Sequence, residues 1–519
     1  MFTDEDLESI EFKSNWKKER YTDDVGVQTK ELKVDEVRVQ SREYYDEETQ
    51  TENEGGDFQL AETDPEKLAK FLRKIEPELI KMIERNNKSV AFEGYVIAKG
   101  EESSSIACIH TFSHAELRQE LQITGVSWNS SGSVLAATYG RYDHEDWCTH
   151  KSGLCTWSLD RRNMQADKPQ TVIDSPSCLM CVEFHPTNPA LIAGGNFNGE
   201  VMVWDLSKED DLLVATSGIG DDAHREPVAK VYWLKDQSAK GRKYNNCWSG
   251  VVGLWTGLGS LLFGGTPVIM SVGADGKILI WTMSKKKPKL KLVDGFVLMN
   301  QSLPRSMKVR GVRADKEIGA TCISFNSEDK DNFIVGSESG CIFKCNLHSQ
   351  GNPAGSQIVS SVPLRSPVTF TYNPHHGPVH SVDYSPFHRN AFITSGMDQC
   401  IRVYNVLQDQ PTVIVEPGEG YLYSAKWSPV KPTLLAAVTE SGYILIYDLK
   451  TGQLVPLHKI QAGVNNSPVY TLQFNRNKRN LIATGDGAGY VSVFKLGEEL
   501  SSPTPRDVEL LSSVINTSD

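Results

Sequence analysis

From Ile123 onward, apolar and polar residues alternate in short runs bounded by Pro, Asn, Ser and Gly, the period of strands with one face buried. The runs repeat as a unit of an alternating strand, a polar turn, a small-residue strand ending in Gly or Ser, a tight turn, and a strand closing on an aromatic. ITGVSW to LCTWSLD160 is the first copy, LMCVEF to VMVWDL206 the second, and VYTLQF to YVSVFKL496 the seventh. The closing aromatics Trp157, Trp204, Trp281, Phe343, Tyr404, Tyr447 and Phe494 are 47, 77, 62, 61, 43 and 47 residues apart, so the longer intervals require insertions. A lone four-stranded sheet leaves both faces wet, whereas sheets stacked radially bury each face on a neighbour, which predicts a ring. Fourth strands are expected at 171–173, 212–215, 290–292 and 412–415. The last copy lacks one, and IACIHTF112 is expected to close the ring as its outer strand.

These copies resemble the WD-repeat family across residues 106–497, with Trp204-Asp205 the literal WD pair. The expected fold is all-β, a seven-bladed WD-repeat β-propeller over 90–500, followed by a flexible tail at 501–519. Asp275, Asp398 and Asp486 sit beside glycines in tight turns. The Gly-His dipeptide that contributes to the family's buried His–Asp hydrogen-bond network is missing from every copy, which leaves that network open here.

Residues 1–63 are acidic, poor in apolar positions and without a persistent period, the composition of a disordered arm. Three short stretches there carry a Gln after a β-branched residue: Val27-Gln28-Thr29, Val39-Gln40-Ser41 and Thr49-Gln50-Thr51, with the glutamines 12 and 10 residues apart. Extended peptides of this kind add a strand to an exposed sheet edge. Asp64-Pro65 then reads as an N-cap with Pro at the first helical position. Leu68, Leu72, Ile75, Leu79 and Ile83 form one apolar stripe over a short amphipathic segment, 64–87. Pro77 is expected to kink it or split it in two. With no other helix evident, the stripe suits a partner's groove better than the side of the propeller.

The balance of 54 basic against 66 acidic residues gives −12, which disfavours nucleic acid as a partner. The ten cysteines follow no regular spacing and no secretory leader opens the chain, so free thiols in a reducing compartment are expected. Asn245 to Ala274 carries no charge, but seven glycines and Pro267 make a poor helix, so membrane insertion is not expected. Trp255, Leu261 and Phe263 in that insertion form a candidate partner surface instead.

Arm motifs, amphipathic segment and divergent propeller, in that order, resemble the dynein intermediate chain family, and within it the chains of cytoplasmic dynein-2, the motor of retrograde intraflagellar transport. The resemblance implies a non-catalytic scaffold whose propeller grips the dynein heavy chain. It implies that Gln28, Gln40 and Gln50 with their neighbours bind the small dimeric light chain that reads Thr-Gln-Thr, and that the 64–87 stripe binds a roadblock-type light chain. A companion intermediate chain completes the assembly, and the implied location is cytoplasm, cytoskeleton and cilium, including axoneme and basal body or centrosome. An intermediate chain of another dynein, or a WD-repeat substrate receptor of a ubiquitin ligase or chromatin complex, is the competing reading.

No catalytic, cofactor or metal residue is assigned. Phosphate-loop and nucleophile-elbow motifs are absent, and GADGK277 is a hairpin turn. Cys178 and Cys181 stand at i, i+3 in a strand, where they face opposite sides. Cys341 and Cys345 share a face, too far apart for a disulfide. Asp143, His144, Glu145, Asp146, Cys148 and His150 have metal-like composition but read as the solvated tip of a loop.

Overall fold

The computed structural model describes residues 65–88 and 106–516, apart from 145, 162–163, 235–266, 285–287, 309, 356–357, 359 and 452–454. Two units separate, one holding the helix Pro65–Lys88 and the other the strands.

Among the described residues the strands of the second unit form seven four-stranded antiparallel sheets. Blade one runs Gln122–Trp128, Val134–Gly140, Ser152–Ser158 and Thr171–Ser175, in sequence order from the ring's centre outward. The innermost strands of blades two to six begin at Leu179, Val228, Ala320, Val379 and Leu422. Strands at the predicted fourth positions are present as Thr171–Ser175, Leu213–Thr216, Leu290–Val297 and Pro411–Val415.

Blade seven takes three strands from 469–495 and its outer strand, Ala107–Ser113, from the other end of the domain. Ala107 lies opposite Lys495 and Ser113 opposite Tyr490, with a bulge between Cys108 and His110. Phe112 is fully buried, and its ring stacks on Trp157 of blade one at 5.5 Å. Blade one also meets blade seven through the Trp128 amide, which donates to Gln473 Oε1 (2.7 Å), and Asn475 Nδ2, which donates to the Gly132 carbonyl (2.8 Å).

The small residues of the second strands have a steric cause. A Cβ on Gly195 would lie 2.4 Å from Val228 Cγ1, and one on Gly485 would lie 2.2 Å from Ile123 Cγ2. In each case a β-branched residue of the next blade's innermost strand presses on the backbone, and the blades approach closely only where that side chain is missing.

All seven closing aromatics are buried, but blade four differs in register. Trp157, Trp204, Trp281, Tyr404, Tyr447 and Phe494 pair with Leu135, Ile192, Ile269, Phe392, Leu435 and Ile482, each the second residue of its strand. The matching pair in blade four is Cys345 with Phe333, so Phe343 lies two residues too early. The aromatic bulk comes from across the ladder, where Phe333 stacks on Phe325 and Phe325 on Tyr232 of blade three.

The His–Asp network, left open by the missing Gly-His, is present in two blades among the described residues. In blade three Trp281 Nε1 donates to Ser271 Oγ (2.8 Å), the Ser271 hydroxyl meets His224 Nε2 (2.7 Å), and His224 Nδ1 meets Asp275 (2.9 Å). In blade five His375 bridges Thr394 Oγ1 and Asp398, each at 2.7 Å, and Arg402 adds a second contact to Asp398 at 2.9 Å. The histidines follow Ala223 and Pro374, so the imidazole survives where the glycine does not.

These buried groups set a pH dependence. Burial lowers the pKa of His375 despite the pull of Asp398. Burial alone would raise Asp398, but the hydrogen bond and charge of His375, with Arg402, prevail and hold it at about 2, against an ordinary 3.8. Asp275 is lowered by the same balance of burial against His224. A depressed histidine stabilises the fold fully above its unfolded value, about 6.5, and that contribution is lost as pH falls. The depressed carboxylates contribute above about 3.9 and lose that contribution as pH falls toward their folded values. Asp486, raised by burial, acts in the opposite sense. The thermal midpoint is therefore expected to decline in two stages on acidification, a shallow one below pH about 6.5 and a steeper one below about 4. Calorimetry on wild type and Asp398→Asn checks this. The variant should lose part of the lower stage, and an unchanged profile would remove Asp398 from the account.

The tail expected to be flexible at 501–519 is instead helical over Asp507–Asn516. Leu511 and Ile515 are fully buried beside Val403, Tyr447 and Leu449, and Asn405 Nδ2 donates to the Ile515 carbonyl (3.3 Å). The amide of Thr504 donates to the Asp507 carboxylate (2.8 Å), a reciprocal turn that starts the helix after Pro505.

Candidate functional site

The helix Pro65–Lys88 is continuous through Pro77, neither split nor ended there. Proline removes one hydrogen bond and crowds the carbonyl four residues back. Here the loss falls between good helix formers on both sides. Leu68, Leu72, Leu79 and Ile83 are each about half exposed (46–51%) and Ile75 is partly exposed. Phe71 and Met82, at 57% and 66% exposure, widen the stripe that the sequence predicted, to a face spanning about 120° at 100° per residue. Lysines, arginines and glutamates occupy the other side. Exposed leucines on one face of a charged helix offer apolar area at about 25 cal/mol per Å2 to whatever covers them.

The motifs at Val27-Gln28-Thr29, Val39-Gln40-Ser41 and Thr49-Gln50-Thr51 lie outside the described residues, as do Trp255, Leu261 and Phe263. Of the uncharged run Asn245 to Ala274, Val268–Gly273 is a strand of blade three. No helix among the described residues is long and apolar enough to cross a membrane.

A central cavity of about 1680 Å3 is lined by the innermost strands. Its lining carries Glu183, Asp294 and Asp383 against Lys230, Lys330, Arg365, Lys426 and Arg476. Lys426 pairs with Asp383 at 3.1 Å, and the Trp427 amide donates to the same carboxylate at 2.9 Å. Burial raises Glu183, opposed by Arg476, Lys426 and Lys230, and burial lowers Lys230. The thiols there are poor nucleophiles, since burial pushes Cys181 up to about 12 and raises Cys322 as well. Cys181 Sγ lies 3.4 Å from the Val228 carbonyl, and Cys178 packs in a different cluster, so the pair faces apart as expected. Cys341 and Cys345 are free and buried in one cluster.

The Asp143–His150 loop departs from its expected role as a solvated tip. Cys148 is 1% exposed, and its sulfur lies among His144, His150 and Cys178. Asp143 is turned away and paired with Arg141 at 2.7 Å.

The chain is similar to known proteins over most of its length. It is 39% identical to cytoplasmic dynein 2 intermediate chain 2 of Mus musculus over 452 residues, covering 87% of this chain and 79% of the mouse protein. The human protein of the same name gives 39% over 445 residues, 85% of this chain and 78% of that one. The chain belongs to the dynein intermediate chains. Members of this family are non-catalytic scaffolds of dynein motors. Dynein axonemal intermediate chain 4 of Rattus norvegicus is more distant, 25% identical over 76% of this intermediate chain and 44% of its own length. The family profile for the dynein axonemal intermediate chain 3 WD40 domain matches residues 110–253, and that for the WD domain, G-beta repeat, matches 366–405. The second match spans His375, Thr394, Asp398 and Tyr404, so it falls on one of the two blades that keep the His–Asp network.

Proposed function

We propose that this intermediate chain scaffolds a cytoplasmic dynein-2 motor for retrograde intraflagellar transport and cilium assembly, with the heavy chain held on the propeller and light chains on residues 1–87. The similarity over 87% of the chain to dynein-2 intermediate chains carries the reading. Two features support its details. The helix Pro65–Lys88 presents an apolar face suited to a roadblock-type light chain through Leu68, Leu72, Ile75, Leu79 and Ile83. Residues 1–63 hold 19 acidic and 8 basic residues, so 11 of the 12 net negative charges stand in the arm and the remainder is nearly neutral. Like charges repel along such a segment, and the light-chain contact is assigned there to strand addition by the Gln28, Gln40 and Gln50 motifs. A companion intermediate chain bound to the same light chains pairs the two arms. Trp255, Leu261 and Phe263 are assigned to the heavy-chain contact. The place of work is the cytoplasm and the cilium, from basal body or centrosome to axoneme.

Affinity capture of the tagged full chain from ciliated cells, with quantitative mass spectrometry, tests this. The wild type is expected to bring down the dynein-2 heavy chain with both kinds of light chain. Leu72→Asp with Leu79→Asp is expected to lower the roadblock-type light chain by about tenfold or more, since each buried charge costs several kcal/mol. Heavy-chain recovery should persist. Capture of a different heavy chain, or of none, would sink the motor assignment, and an unaffected roadblock-type chain would sink the role of the helix.

A further inference from the structure

His144, Cys148 and His150 lie in the loop between the second and third strands of blade one, and Cys178 lies just before the innermost strand of blade two. In an antiparallel blade these two connections emerge on the same rim, because the chain reverses once between each pair of strands. Ring nitrogens and sulfurs of the four residues all lie within 4.8 Å of one another. We propose that they form a structural zinc site that ties blade one to blade two.

The donor set is two thiolate-forming sulfurs and two imidazoles, which suits zinc over calcium or magnesium. Two ligands of a tetrahedral zinc, at about 2.0 Å for nitrogen and 2.3 Å for sulfur, stand about 3.6 Å apart. Cys148 Sγ and His150 Nδ1 are 3.6 Å apart, while His144 Nε2 and Cys148 Sγ, at 3.1 Å, need to open by a few tenths of an ångström.

The surroundings fix the ligands in place. Asn198 of blade two clamps the Cys148 backbone from both sides, accepting from its amide (3.0 Å) and donating to its carbonyl (2.9 Å). The Cys178 amide donates to Cys148 Sγ (3.2 Å), the contact that spreads charge from a bound thiolate. The Phe197 ring stacks on His144 at 4.0 Å, setting the plane from which Nε2 faces the cluster. Cys148 and Cys178 are buried, and the histidines are partly exposed, which leaves an entry path. Four protein ligands leave no open position, so the site is structural and not catalytic.

Binding replaces the thiol protons, which leave to solvent as the two Zn–S bonds form. Full-length chain, purified in a reducing buffer without chelator, is expected to carry one zinc per molecule by elemental analysis. Exchange for cobalt should give the visible bands of a tetrahedral ion together with thiolate-to-cobalt charge transfer. Cys148→Ser with Cys178→Ser should lower zinc content by more than about tenfold, since even the loss of outer contacts costs 10- to 100-fold in affinity. Cys108→Ser, an exposed thiol elsewhere, should change nothing. If the double variant does not fold, the wild-type zinc content and cobalt spectrum decide alone. Folded wild type without zinc and without cobalt bands, zinc retained by the folded double variant, or a Cys148–Cys178 disulfide in the reduced chain would each overturn the proposal.

Discussion

A chain lacking residues 106–113 is expected to lose its cooperative thermal transition or to melt far below the wild type, and to aggregate. Three strands of blade seven would remain, with Tyr490–Lys495 turned into an exposed edge carrying unpaired amides and carbonyls. The deletion also removes Phe112, whose ring is wholly buried against Trp157 in the neighbouring blade. The point variant Phe112→Ala isolates that packing and should cost about 3–5 kcal/mol, the usual range for truncating a buried Phe. The ring has no other closure of this kind among the described residues: in the other six blades all four strands are consecutive in sequence. Differential scanning calorimetry with size-exclusion chromatography measures both effects. A deletion variant that stays monomeric and melts as the wild type does would show that the outer strand is dispensable and that the contacts of Gln473 and Asn475 with blade one hold the ring by themselves.

What sequence conveyed well was whatever a blade repeats locally. Alternation in VYTLQF and small residues in LIATG mark a strand's buried face and its close neighbour, and each is enforced within a few residues of itself. Even the closing strand was legible, because IACIHTF has the strand's character and the seventh copy lacked a partner. Features that depend on distant residues were not. His224 and Asp275 are 51 positions apart, and without Gly-His nothing local marks the histidine. Phe343 was placed by type, whereas the ladder puts Cys345 at the position that the other blades fill with an aromatic. The Asp143–His150 cluster reads in sequence as the solvated tip of a loop, because Cys178, which the fold brings beside Cys148, lies 30 residues further along the chain. One miss had a local signal: Thr504-Pro505 with Asp507, then Val508, Leu511 and Ile515, announces a capped amphipathic helix.

Replacing Thr49-Gln50-Thr51 by alanines is expected to weaken binding of the Thr-Gln-Thr-reading light chain by more than the loss of one site. In an added strand alternate side chains face the partner, so Gln50 and the residues two away share one face while the main chain completes the sheet. Removing those side chains costs the local contacts. The larger effect comes from linkage. A dimeric light chain has two grooves, and once one motif from each of two arms is bound, the next pair meets at an effective concentration in the mM range for short linkers. Gln28, Gln40 and Gln50 are spaced 12 and 10 residues apart, so each bound dimer raises the occupancy of its neighbour. Such coupling multiplies affinity by 10²–10⁴ without new contacts, and the loss of one strong site removes a share of that factor from the others. Isothermal titration of residues 1–63 with the light chain, wild type against the triple-alanine arm, is the measurement. The wild type should bind at least about tenfold more tightly and with higher stoichiometry. Equal affinity and stoichiometry would show that the arm binds through other residues, or not at all, and would take from the light-chain assignment its most specific support.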